Sequence, residues 1–186
     1  MNRSKSVLHL AVSALLVAIG ILIPLISPVK IYLGPAGSMT LASHVAIFLA
    51  MFISPATAAA VALGCTVGFF ISTPLPIALR ALTHLVWAVL GALWLKKHPG
   101  TLYRPAKSVV FCVLIAIVHA LLETVIIMVL FFGTDLIADK GGLWLTVFLP
   151  VGIVTLLQSS VDYAIALLVW RPLRKLKGVQ AIASTH

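Results

Sequence analysis

The stretch PLPIALRALTHLVW, Pro74 to Trp87, sets an arginine and a histidine inside an otherwise apolar run. Arg80, Thr83, His84 and Trp87 fall at i, i+3, i+4 and i+7, a spacing that puts all four on one helical face. A guanidinium keeps its charge and offers five donors in a planar fork, so the chemistry open to this face is capture of a carboxylate. Other polar side chains stand in further apolar runs. Ser38, Thr40, Ser43 and His44 lie in GSMTLASHVAIFLAMF, His119 and Glu123 form an i, i+4 pair, and Thr155, Gln158, Ser159 and Asp162 form a polar face of their own.

The elements that carry these residues are set by composition. Of 186 residues 62% are hydrophobic and 9% charged, with a mean hydropathy of +1.19. A chain of that kind is an integral membrane protein. A bilayer core of about 30 Å takes roughly 20 apolar residues per helical crossing. Apolar runs separated by turn residues then give an all-α membrane protein with six transmembrane helices, at about 7–27, 41–53, 56–72, 75–95, 106–133 and 145–170, in a single domain over 1–186. The basic start followed by a long apolar run reads as the first spanning helix and not as a cleaved signal. SPVKIYLGPAGSM, Ser27 to Met39, is too long for a tight turn and too apolar for a free linker, so it reads as a lid folded back on the protein.

Six crossings put both termini on one side. Arg3, Lys5, Lys96, Lys97, Arg104, Lys107, Arg171, Arg174, Lys175 and Lys177 then share that side, and only Lys30 and Lys140 lie opposite. The positive-inside rule makes that side the cytoplasm. The net charge of +9 is thereby accounted for by topology, and no nucleic-acid partner is expected. Arg80 comes to lie six residues inside its helix from the outer end, about 9 Å along the axis. Its face must point into protein or a polar cavity, the alternatives being a reach outward to headgroups or an internal bridge to Glu123.

Ser38, Thr40, Ser43, His44 and Glu123 fall at the same depth and complete an expected outer-half pocket. Asp162 falls in the inner half and reads as a helix-packing or charge-pairing residue, and His119 as a satisfied interior histidine. Tyr32 and Trp144 lie near the outer interface, where an aromatic belt explains them as well as a binding role does. Cys65 and Cys112 have no partner at ligand spacing, so no metal or other cofactor is expected. No phosphate-cradling G-x-x-x-x-G-K-[ST], no H-E-x-x-H and no nucleophile with a positioned base occurs, so an enzyme is not expected. Ala11, Ala14 and Ala18 in LAVSALLVAIG form a small-residue strip on the first helix, including Ala14-x-x-x-Ala18.

In length, six helices, long first loop and this alanine pattern, the chain resembles the substrate-binding S components of energy-coupling factor vitamin transporters. The resemblance implies that Ala11, Ala14 and Ala18 meet a membrane coupling subunit, that two cytoplasmic ATPases complete an ABC-type importer, and that the vitamin sits in the outer half. SMTLASHVAIFLAMFISP with RALTH looks most like members carrying pantothenate or nicotinate, both carboxylates. Pantothenate is favoured, because its hydroxyls and amide suit a site rich in Ser, Thr and His, and nicotinate is the alternative. Two other readings stand beside these: a stand-alone transporter with His119, Glu123 and Asp162 as a proton relay, and a structural membrane protein without a ligand.

Overall fold

The structure is a computed structural model that describes residues 3–33, 37–137 and 142–183. It is built almost wholly of helices. They are α1 (Arg3–Ile26), α2 (Val45–Ile53), α3 (Pro55–Ser72), α4 (Leu75–Leu82), α5 (His84–Lys97), α6 (Pro105–Gly133), α7 (Val154–Leu173) and α8 (Lys177–Ile182). An antiparallel hairpin, β1 (Lys30–Leu33) and β2 (Gly37–Thr40), follows α1 and pairs Lys30 with Thr40 and Leu33 with Gly37. Among the described residues five helical segments are long and apolar enough to cross a membrane: Arg3–Ile26, Pro55–Ser72, Leu75–Lys97, Pro105–Gly133 and Val147–Leu173. The chain is a multi-pass membrane protein.

The expected helix over 41–53 is corrected. Only Val45–Ile53 is helical, about 13 Å of axis, too short to cross alone. Ala42, with φ of +63°, breaks the run, and the Asp162 carboxylate accepts from the backbone N–H of both Ala42 and His44. A carboxylate at the start of α2 favours a helix beginning there over one begun four residues earlier. Every residue from Ala46 to Ile53 is buried, as a helix apolar on all sides must be. The lid expected over Ser27 to Met39 contains the hairpin, of which β2 is the buried strand. Residues 34–36, between its strands, lie outside the described residues, as does Lys140 of the charge tally.

The expected fourth helix is two, α4 and α5, meeting at Thr83, whose hydroxyl and N–H both donate to the Arg80 carbonyl. The last expected helix, 145–170, opens as a wider π-type segment, Trp144–Ile153, with Pro150 inside it, and continues as α7. Turn chemistry places the other ends. Ser54 caps α3 by accepting from the Thr57 N–H ahead of Pro55, and Pro105 opens α6.

α1 lies against α3 at backbone contact. A methyl group on Gly68 would strike the Ile21 carbonyl, one on Gly64 would meet Val17, and one on Gly20 would meet the Cys65 sulfur. Cys65 is thus a packed core thiol. Phe48, Phe52, Trp87, Leu95, Phe111, Tyr163 and Trp170 fill the main core around α2. A smaller cluster of Ile127, Phe131, Val147 and Val151 joins the end of α6 to the π-type segment.

Candidate functional site

Arg80 is 4% exposed, so it does not reach headgroups. Its Nη2 donates to Glu123 Oε2 at 2.6 Å and to Thr155 Oγ1 at 3.2 Å, and its Nε donates to the same carboxylate oxygen at 3.2 Å. Thr155 donates in turn to Glu123 Oε2 at 2.6 Å. The expected alternative of an internal bridge is therefore present in this conformation, with Glu123 and not Asp162 as the partner.

The other carboxylate oxygen of Glu123 faces imidazoles. Its Oε1 lies 3.1 Å from His84 Nε2 and 3.3 Å from His119 Nε2. His44 completes a triangle of rings with centroids 4.9 Å from His84 and 4.6 Å from His119, and His84 and His119 are 5.0 Å apart. Trp87 stacks on His119 at 4.6 Å. Asp162, expected deep and structural, is fully buried against His44, whose Nδ1 is 2.9 Å from Oδ2. One turn earlier on α7, Gln158 donates to the Thr40 carbonyl at 2.7 Å and to Ser43 Oγ at 3.1 Å. Gln158 and Asp162 thus hold the exit of the hairpin onto α7.

A cavity of about 20 Å³ remains between the hairpin and these groups, lined by Ser38, Thr40, Ser43, His44, Arg80, His84, Glu123 and Gln158 together with Phe69, Ile77 and Ala81. A larger groove of about 560 Å³ opens between the far ends of α6 and α7 beside Tyr103 and Arg174, without that convergence of buried polar groups.

Of the residues expected in the site, Ser38, Thr40, Ser43, His44, Arg80, His84 and Glu123 come together there. Thr83 does not, being half-buried at the α4–α5 junction and turned to its own backbone. Trp87 stands one layer behind, against His119. Ala11, Ala14 and Ala18 are all exposed on the side of α1 facing away from the protein. Gln158 and Thr155 were legible only as part of a polar face on α7; that they reach Thr40, Ser43 and Arg80 depends on α7 lying beside the hairpin and α4. The meeting of His44, His84 and His119 comes from three helices and leaves no spacing signal in the chain.

No family model matches this chain, and no solved structure matches it. The chain is 41% identical over 167 residues to the niacin transporter NiaX of Lactococcus lactis subsp. cremoris, an alignment covering 89% of this chain and 74% of that protein.

Proposed function

The chain belongs to the S-component family of energy-coupling factor vitamin transporters, and on that footing we propose that it captures nicotinate in the pocket beneath the hairpin. The observation that carries the choice is a buried guanidinium beside a cluster of aromatic rings. Arg80 suits the carboxylate, and imidazole and indole faces suit a flat pyridine ring. The similarity to a niacin transporter supports the same choice.

The preference for pantothenate rested on a site rich in Ser, Thr and His, and it is not supported: the named substrate of the Lactococcus lactis relative is niacin, which favours the nicotinate alternative.

In this reading both termini are cytoplasmic and there are six crossings. The second is made of β2, the turn at Leu41 to His44 and then α2, an irregular backbone tolerated at membrane depth because protein surrounds it. The ligand enters from outside after the hairpin shifts, since a cavity of about 20 Å³ has room for little more than a water molecule. The chain itself is non-catalytic. A coupling subunit docks on Ala11, Ala14 and Ala18, and two cytoplasmic ATPases drive release inward. A thermal-shift panel of B vitamins on the purified chain, without ATP, tests the substrate. Nicotinate should raise Tm most, with nicotinamide and pantothenate giving little or none; a larger shift with pantothenate would reverse the assignment.

One arrangement favours a second reading, a stand-alone proton-coupled transporter. Asp162, His44, His119 and Glu123 form a continuous row through the interior. Proton-driven nicotinate uptake into liposomes holding this chain alone would establish it, and uptake only with the coupling subunit and ATPases would exclude it.

A further inference from the structure

We propose that His44, His84 and His119, with Glu123 as fourth donor, form a binding site for a divalent transition metal of the zinc class. Each ring brings one nitrogen, and the three nitrogens lie within 4.8 Å of one another with all three residues buried. Ligands on one tetrahedral ion with bonds of about 2.0–2.1 Å sit roughly 3.3 Å apart. Glu123 Oε1, at 3.1 Å and 3.3 Å from His84 Nε2 and His119 Nε2, is already at that separation. The widest nitrogen pair closes by roughly 0.7 Å from each side, within the reach of small ring rotations.

Two observations separate this cluster from ordinary packed histidines. His119 Nε2 is buried and, although 3.3 Å from Glu123 Oε1, makes no hydrogen bond of acceptable geometry, an arrangement that costs free energy unless something else takes the lone pair. The other nitrogen of His119 faces Ser159 Oγ at 3.3 Å, and His44 Nδ1 faces Asp162 at 2.9 Å. A ring held by an outer partner through one nitrogen, with the other turned inward, is how metal-binding imidazoles are oriented, and a carboxylate is the commonest such partner. Three imidazoles and a carboxylate select borderline ions over magnesium or calcium. The expectation of no metal rested on spacing along the chain, whereas these donors come from the start of α2, the start of α5 and the middle of α6.

The test uses the full chain in detergent with a histidine-free tag, stripped with chelator, and no vitamin present, so its outcome is independent of the nicotinate reading. After dialysis against zinc, elemental analysis should find one ion per chain, and zinc should raise Tm. Cobalt in its place should give the intense visible bands of tetrahedral coordination and quench Trp87, which stacks on His119. His44→Ala and His119→Gln should each lower zinc affinity at least ~10-fold and remove the cobalt bands, while His98→Ala, at an exposed site, changes neither. Should a pocket variant fail to fold, cobalt quenching in the wild-type chain that disappears in Trp87→Phe supports the same placement. A wild-type chain that holds no zinc at micromolar free metal overturns the site, and so do cobalt bands that survive in folded His44→Ala or His119→Gln.

Discussion

Arg80 and Glu123 are each nearly inaccessible and form a direct ion pair. Removing one partner of such a buried pair leaves the other charge without compensation, at a cost of about 3–5 kcal/mol, whereas removing both charges costs far less. Arg80→Ala should therefore lower Tm sharply, and adding Glu123→Gln should restore much of the loss; differential scanning calorimetry of the two variants checks the order. The membership of this pocket was largely legible from sequence, because an ionisable group in an apolar run must find polar company. The pairing was not: whether Arg80 meets Glu123 or Asp162 depends on which helix faces lie together, and that is decided by α7 turning Asp162 toward the hairpin exit.

The hairpin and α2 act as one element, tied to α7 through two side chains spaced one turn apart. Asp162→Asn weakens the charge-assisted bonds to the Ala42 and His44 amides. Hydrogen exchange over 37–44 should accelerate in that variant, and bound nicotinate should leave faster, by at least ~10-fold, in stopped-flow measurements. Unchanged exchange would mean that the hairpin is held by other contacts. On the opposite flank, α1 can approach α3 closely only because of Gly64 and Gly68. Gly68→Ala presses a methyl group onto the Ile21 backbone and should destabilise by about 1–3 kcal/mol. Turn residues were expected to separate the apolar runs, and Pro55 and Pro105 do open α3 and α6. The shortness of α2 was hidden because LASHVAIFLAMFI is apolar enough for a helix throughout, and only the distant Asp162 decides where that helix begins. The break at Thr83 was hidden for a similar reason, since Arg80 to Trp87 stays on one buried side across it.

The whole molecule shows a buried polar centre and a first helix that is apolar and mostly exposed, with only Leu16, Gly20 and Pro24 buried. That contrast fits a protein that binds on its own and depends on a second membrane protein to move what it binds. Ala14→Leu with Ala18→Leu alters an exposed face of α1. Nicotinate affinity should be unchanged, while uptake by cells carrying the coupling subunit and ATPases should fall to background; unimpaired uptake would place the docking face elsewhere. Composition and charge distribution were enough to identify a multi-pass membrane protein. They could not separate nicotinate from pantothenate, because both carry a carboxylate and differ in the rest of the molecule.

Arg80 is the group on which the proposed capture of the carboxylate depends. Glu123→Gln alone and Arg80→Ala with Glu123→Gln, both confirmed as folded by their Tm, should be titrated with nicotinate under the same conditions. The single variant should still bind and the double variant should bind at least ~100-fold more weakly, the loss of a buried charged contact worth about 2.7 kcal/mol. Equal affinity in the two variants would contradict that role of Arg80.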